Sequence, residues 1–198
     1  MSASVVSIEE PRLVVWLGDL LARAGVVAFP TDTVYGLGGD PWSERAVARV
    51  RALKGRGDDR PFTVHLASVE DVARVARLDE RTRGMVARLL PGPYTLLLPA
   101  GDDAPVSAVQ RGKVGVRVPD HPFFGNVLRR VGSPLFGTSA NRAGEPPLRT
   151  VEEIARAFPE VDLLVWDPHG GRGLPSAILD LTTIPPRAVR GELPKDLT

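Results

Sequence analysis

Residues 26–39 read Val-Val-Ala-Phe-Pro-Thr-Asp-Thr-Val-Tyr-Gly-Leu-Gly-Gly. The four apolar residues at the start predict a short buried strand, which ends at Pro30 because proline cannot donate to a strand ladder. Two threonine hydroxyls, a carboxylate and a phenol follow within residues 31–35. Binding and catalytic sites are usually built on loops that a rigid scaffold holds in place. The stretch therefore fits a candidate site, and a plain hydrogen-bonded turn fits it equally well.

Helical and extended patterns mix on the C-terminal side of this strand, and one further helix precedes it. The predicted helices are 12–24, 43–54, a short one beginning near Ser68, 79–90, 122–131 and 150–158. The predicted strands are 26–29, 62–66, 94–98, 114–118, 134–136, 163–166, 177–181 and 188–190. Helix caps are predicted at Ser43, at Asp79, at Ser68 with Asp71, and at a capping box of Thr150 with Glu153. Several late strands follow one another directly, which predicts a single α/β domain over residues 1–198 with a mixed sheet covered by helices.

The composition is that of an ordinary globular protein and excludes several classes. Hydrophobic residues make up 43% and charged residues 25% of 198 residues, and the net charge is +1. The absence of cysteine excludes disulfides, thiolate metal sites and a cysteine nucleophile. No apolar run approaches the roughly 18 residues of a membrane span, and the first ten residues do not resemble a signal peptide. We therefore expect a soluble, cytoplasmic protein.

The loop 54–61, Lys-Gly-Arg-Gly-Asp-Asp-Arg-Pro, places Lys54, Arg56 and Arg60 on a flexible, glycine-bearing backbone. Arginine binds phosphate through two parallel hydrogen bonds and lysine through a compact charge, so the loop could bind a nucleotide. A cation near a helix C-terminus is also stabilised by the helix dipole, which is a sufficient reason for Lys54 alone. Neither a Walker sequence nor a dinucleotide fingerprint is present.

Further candidates lie at other strand ends. Arg117 falls inside an apolar strand and needs a partner there, which could be Asp120, another carboxylate of the chain or a substrate carboxylate. The loop 137–144 offers hydroxyl and amide donors, and Ser176 opens a late strand. His65 alternates into an apolar strand, and the three histidines show no metal-ligand spacing. No nucleophile with a base and an orienting acid is evident.

Taken in order, these segments resemble the YrdC/Sua5 family, the threonylcarbamoyl-AMP synthases. The resemblance runs from about residue 26 to residue 191. It rests on residues 30–38, on the Lys54-Gly55-Arg56 loop that leads to the strand of His65, on residues 91–95, on residues 117–122 and on Ser139-Ala140-Asn141. It implies a twisted mixed α/β sheet flanked by helices around a positively charged cavity, in the short form without an additional C-terminal domain.

The resemblance also implies a reaction. ATP, L-threonine and bicarbonate would give L-threonylcarbamoyladenylate and pyrophosphate, and a tRNA-modifying transferase machinery would pass the threonylcarbamoyl group to adenosine 37 of tRNA. By matching position, the residues for ATP are Lys54, Arg56, Arg60, Ser139, Asn141 and Arg190, with Lys54 and Arg56 catalytic. Those for L-threonine are Thr31, His65, Arg117 and Ser176. Mg²⁺ is expected on the phosphates of ATP, without a metal site built by the protein.

Two other functions fit the same residues. Arg60, Thr138 and Ala177 depart from the pattern of the family, which leaves open a paralogue with a different acceptor chemistry. An RNA-binding translation or ribosome-maturation factor is the second alternative, and it predicts affinity that falls steeply with salt and no turnover of ATP.

Overall fold

The computed structural model describes residues 4–55, 60–170 and 173–195. Its strands are β1 (Ser4–Ser7), β2 (Val27–Phe29), β3 (Gly36–Gly39), β4 (Thr63–His65), β5 (Tyr94–Pro99), β6 (Val109–Gln110), β7 (Lys113–Arg117), β8 (Leu135–Ser139), β9 (Leu163–Trp166), β10 (Ala177–Asp180) and β11 (Arg187–Arg190). Its α-helices are α1 (Leu13–Ala22), α2 (Glu44–Lys54), α3 (Glu80–Leu89), α4 (Arg129–Val131) and α5 (Val151–Ala157).

The strands form one mixed sheet, which confirms the predicted fold class. Their order is β1-β9-β2-β3-β8-β4-β7-β5-β10-β11, with β6 paired to β7. The sheet contains parallel pairs, such as β4 with β7, and antiparallel pairs, such as β3 with β8. The stretch quoted first forms β2, the following loop and β3, which pair antiparallel near the centre of the sheet. The polar residues 31–35 therefore connect two central strands.

Strand β2 is buried on both faces, as its continuous apolar run predicts. Val27 and Phe29 pack in one core cluster with Leu13 and Leu17 of α1. Ala28 points to the other face and packs with residues of α2 and α5. Since successive side chains of a strand point to opposite faces, one short strand joins two helical layers. A third cluster lies between α3 and strands β5, β7 and β10.

Strand β3 was not predicted, because its sequence Gly-Leu-Gly-Gly lacks alternating apolar side chains. Its glycines are needed for close packing rather than for backbone flexibility. A Cβ atom on Gly38 would lie 1.7 Å from the carbonyl oxygen of Phe136 on β8. Any side chain there would therefore force the two strands apart.

The predicted caps of α2 and α3 are confirmed, whereas two other predicted helical segments differ from the structure. Ser43 and Asp79 cap α2 and α3 as predicted, through hydrogen bonds to Ala46 N and Thr82 N. Ser68 does not cap the next helix: its hydroxyl donates to Asp71, and the segment Glu70–Arg74 is a 3-10 helix. The predicted helix 122–131 begins with a π-helical segment, Phe123–Leu128, before α4.

The predicted capping box of α5 is confirmed, and it gives a stability test. Thr150 accepts from the N–H of Glu153, whose side chain accepts from the N–H of Thr150. We expect Thr150→Ala to lower the free energy of unfolding by about 1 kcal/mol, because the cap satisfies a helix N–H that has no other partner. Urea unfolding measures this, with Glu152→Ala in the same helical turn as the control. Equal stability of Thr150→Ala and the wild type would contradict the prediction.

Candidate functional site

A cavity of about 290 Å³ lies against the sheet, where the loop after β2 meets residues of several other strands. Its polar lining consists mainly of hydroxyl groups and guanidinium groups. The lining residues with polar side chains are Thr31, Tyr35, Arg60, Thr63, His65, Thr95, Arg117, Thr138, Ser139, Ser176 and Arg190. Residues predicted from separate parts of the sequence are thus brought together around one space.

Arg117 is buried at this cavity and forms an ion pair with Asp32. The two side chains are only 5% and 7% exposed, and Nη2 of Arg117 lies 2.5 Å from Oδ1 of Asp32. The partner left open by the sequence is therefore Asp32 rather than Asp120. Within the described part of the chain, Nε of Arg117 is buried without a hydrogen-bond partner. Buried donors are almost always paired, so this nitrogen is an exception among the polar atoms near the cavity.

His65 is held neutral beside this arginine. Burial, and then the charge of Arg117, lower the pKa of His65 to about 3, although a hydrogen bond to the carbonyl of Thr63 acts in the opposite direction. That bond, at 3.2 Å, involves Nδ1, so Nδ1 carries the proton and Nε2 is an acceptor. The ring also packs between Phe29 and Phe124. His65 therefore offers the cavity an acceptor rather than a positive charge.

The lowered pKa of His65 makes the free energy of unfolding depend on pH, and the direction of this dependence follows from the shift. The unfolded chain protonates His65 near 6.5 and the folded chain only near 3, so the unfolded state binds more protons between these values. We expect the free energy of unfolding to fall as the pH drops from 6.5 toward 3, by up to about 1.4 kcal/mol per pH unit from this group. Urea unfolding at several pH values compares the wild type with His65→Phe, which cannot titrate. Equal slopes in the two proteins would rule out this contribution.

Ser176 comes late in the sequence but lines the same cavity. Its hydroxyl is 2.9 Å from that of Thr95, and its carbonyl accepts from Nε and Nη2 of Arg190 at 3.0 and 2.8 Å. Arg190 thus lines the cavity while its guanidinium also fixes the residue that precedes β10. Sequence reasoning missed Thr95, although it stands in the segment 91–95 that carries part of the resemblance.

Lys54 and Asn141 were predicted to contact a nucleotide, yet neither lines this cavity. Lys54 is only 1% exposed. Its Nζ donates to the carbonyls of Ser139 and Asn141 at 2.6 and 2.8 Å and to Oδ1 of Asn141 at 3.1 Å. Oδ1 of Asn141 also accepts from Ser139 Oγ at 2.5 Å. Lys54 thus supports the loop that presents Ser139 to the cavity.

Three predicted positions remain: Arg60, Arg56 and Thr31. Arg60 lines the cavity from the end of the 54–61 loop. Arg56, predicted as catalytic, lies outside the described residues. Thr31 is buried, and its hydroxyl donates to the carbonyl of Val34 at 2.7 Å. That bond holds the loop between β2 and β3 in a turn, so the turn and the site predicted there coexist.

Metal binding and membrane insertion have no visible basis in residues 4–55, 60–170 and 173–195. There, no group of three or more histidine, cysteine, aspartate or glutamate side chains is arranged to hold a metal ion. The helices of these ranges are too short or too polar to span a bilayer.

The fold and the site define an α/β protein whose cavity is lined by hydroxyl and guanidinium groups, which are donors suited to anionic groups. Its family is equally clear. The family model Sua5_yciO_yrdC, described as telomere recombination, matches residues 19–191, and the chain belongs to this family.

Curated relatives and solved structures agree with that assignment. Proteins called threonylcarbamoyl-AMP synthase from Chromobacterium violaceum and Chromohalobacter salexigens are 39% and 37% identical, over 81% of this chain and 84% and 88% of theirs. The structure of P. abyssi Sua5 complexed with L-threonine is 31% identical with a TM-score of 0.86, and the match covers 95% of this chain and 57% of that one. E. coli YciO is 27% identical with a TM-score of 0.84, over 95% of both chains.

Proposed function

We infer that the protein is a threonylcarbamoyl-AMP synthase, which forms L-threonylcarbamoyladenylate and pyrophosphate from L-threonine, bicarbonate and ATP. The observation that carries this function is the buried Arg117, which lines the cavity and is fixed in place by its ion pair with Asp32. A guanidinium group in that position is suited to a carboxylate. Relatives named for this activity and a relative solved with L-threonine support the same substrate.

The chemistry requires positioning more than covalent catalysis. The amine of threonine adds to bicarbonate, and loss of water leaves a carbamate. An oxygen of the carbamate then attacks the α-phosphorus of ATP, the bond to the β-phosphate oxygen breaks, and pyrophosphate leaves. Two anions must be held in line and the charge of the leaving group must be stabilised. A cavity of hydroxyls and guanidinium groups without a nucleophile–base pair suits that task.

On the amino-acid side, Arg117 would bind the carboxylate of threonine. Asp32 already engages Nη2, so the substrate would use the remaining donors of the guanidinium group. Thr31 and Ser176 offer hydroxyls nearby, and the neutral His65 offers an acceptor for a substrate donor. The arrangement matches an α-amino acid with a hydroxyl, which carries both kinds of group.

On the nucleotide side, Arg60, Arg190 and Ser139 would contact phosphates, with Lys54 and Asn141 holding Ser139 from behind. A cavity of about 290 Å³ lies at the lower end for small-molecule sites. It would take the amino acid and the reacting phosphate, with the rest of ATP extending outward. Among the described residues, the polar lining carries no carboxylate, so Mg²⁺ would enter on the phosphates of ATP and neutralise their charge.

The product is a mixed anhydride and must be consumed soon after release. We propose that a transferase that modifies adenosine 37 of tRNA takes up the threonylcarbamoyl group and that the reaction takes place in the cytoplasm.

Pyrophosphate release from ATP and Mg²⁺ tests the proposal, with L-threonine and bicarbonate added separately and together. We expect release only when both are present, and much less with serine or valine at equal concentration. Release without either substrate would contradict the proposal and favour a paralogue with another acceptor. ATP-independent binding of RNA that weakens steeply with salt, without any release, would favour the RNA-binding alternative.

A further inference from the structure

A buried imidazole–carboxylate pair lies beside the site, formed by residues to which neither substrate is assigned. Nε2 of His121 is 3.2 Å from Oδ2 of Asp167, and the side chains are 7% and 6% exposed. Nδ1 of His121 accepts from the N–H of Phe123 at 3.2 Å, so Nε2 carries the proton and donates to Asp167. Burial lowers the pKa of His121 and outweighs the opposing charges of Asp167, Asp32 and Asp120. The ring is therefore a neutral donor with a fixed tautomer.

Asp167 connects this pair to the cavity. Its Oδ1 accepts from the N–H of His169 at 2.7 Å, and its carbonyl accepts from the N–H of Gly170 at 3.2 Å. Its own N–H donates to Oη of Tyr35 at 3.3 Å, and Tyr35 lines the cavity. Asp167 therefore closes the turn after β9, accepts a hydrogen bond from His121 and donates one to Tyr35, whose side chain lines the cavity.

The turn after β9 packs closely against the loop after β2. A Cβ atom on Gly170 would lie 3.2 Å from Cε2 of Tyr35, so the turn rests directly on the ring. Gly173 N donates to the carbonyl of Thr33 at 2.8 Å, and the hydroxyls of Thr33 and Thr31 are 3.0 Å apart. We call residues 31–35 together with residues 167–170 the tyrosine wall. A shift at Asp167 would move Tyr35 and Thr31.

We propose that His121 and Asp167 are positioning residues that hold the tyrosine wall in the shape that binds the amino-acid substrate. Neither residue lines the cavity, so both act through Tyr35 and Thr31. The inference rests on the proposed function in one respect, the identity of the amino acid. Ser139, on the nucleotide side, is also held by Lys54 and Asn141, so we expect the larger effect on the amino-acid substrate.

Two variants separate the hydrogen bond from simple loss of the ring. His121→Leu removes the donor and leaves the Asp167 carboxylate buried without it, which is costly. His121→Gln keeps an N–H donor at a similar reach. Lys113→Met is the matched control, because it breaks another partly buried pair, at 2.6 Å from Asp180, and Lys113 does not line the cavity.

Calorimetric titration of the full chain with L-threonine and, separately, with ATP is the first readout. We expect His121→Leu to weaken threonine binding by at least about tenfold, because Tyr35 and Thr31 are then no longer held in the binding position, while ATP affinity changes by less than about twofold. His121→Gln recovers most of the affinity, and Lys113→Met retains both affinities. Equal loss for both ligands, or the same threonine affinity in His121→Leu as in the wild type, would overturn the proposal.

Hydrogen exchange of the protein without ligands is the second readout, and it does not depend on the substrate. We expect His121→Leu to speed exchange in peptides covering residues 33–36 and 167–170, with α2 unchanged. Exchange that is unchanged in both peptides would overturn the positioning role. If the wild type binds no threonine, the proposed function fails, and the exchange data still decide whether His121 fixes the wall.

Discussion

Lys54→Met is expected to lower the stability of the fold and abolish most pyrophosphate release. The ammonium group is buried and donates three hydrogen bonds to the loop that presents Ser139. Its removal leaves two carbonyls and an amide oxygen without this donor, which costs on the order of 3 kcal/mol. Urea unfolding measures the stability, and we expect release to fall at least about a hundredfold because Ser139 loses its support.

The free energy of unfolding separates support of the loop from direct contact with phosphate. Loss of the three buried hydrogen bonds lowers stability, whereas loss of a phosphate contact alone would leave the stability of the protein without ligand unchanged. Arg45→Met, on the exposed face of the same helix, is the matched control and should retain stability and turnover. Lys54→Met with wild-type stability and a loss confined to ATP would contradict a supporting role and favour the direct contact that the sequence predicts.

Arg117→Met is expected to abolish the use of threonine. Two charge-assisted hydrogen bonds to a substrate carboxylate would be lost, which predicts a fall in kcat/KM for threonine of about 10²–10⁴-fold. Stability should fall as well, because Asp32 is left buried without its partner. Arg117→Lys keeps the charge but not the planar fork, and it should recover only part of the activity.

The double variant Arg117→Met, Asp32→Asn separates binding from folding. Neutralising Asp32 removes the unpaired buried charge, so stability should return toward that of the wild type. Threonine use should remain lost, because no guanidinium group faces the carboxylate. A double variant that regains threonine turnover together with stability would show that Arg117 acts only on the fold.

The sequence predicted those elements that are determined locally. Ser43, Asp79 and Thr150 cap helices through bonds to residues three positions along, so each cap is visible in a short segment. Strand β3 was not predicted because its burial depends on the backbone of β8, about a hundred residues further along the chain. The two backbones can approach this closely because position 38 is a glycine. The edge strand β1 was also missed. It is half exposed and pairs only with the distant β9.

The residues of the site were likewise predictable from local motifs, whereas the contacts between distant segments were not. The motifs indicated which loops carry the site, and Thr31, His65, Arg117 and Ser176 do meet at one cavity. The contacts behind them could not be predicted, because they join distant segments: Arg117 with Asp32 across 85 positions and Lys54 with Ser139, also across 85. Burial of Lys54 in particular is set by this tertiary contact. A helix-terminal lysine beside a glycine gives no local indication of it.

Mass spectrometry of the reaction products tests the proposed activity most directly. The protein is incubated with ATP, Mg²⁺, L-threonine and ¹³C-bicarbonate, and Arg117→Met serves as the control. We expect one new adenylate that contains threonine and the labelled carbon, formed in equal amount with pyrophosphate and absent from the control. An adenylate without the label, or consumption of ATP without any threonine-containing adenylate, would contradict the proposed synthase activity.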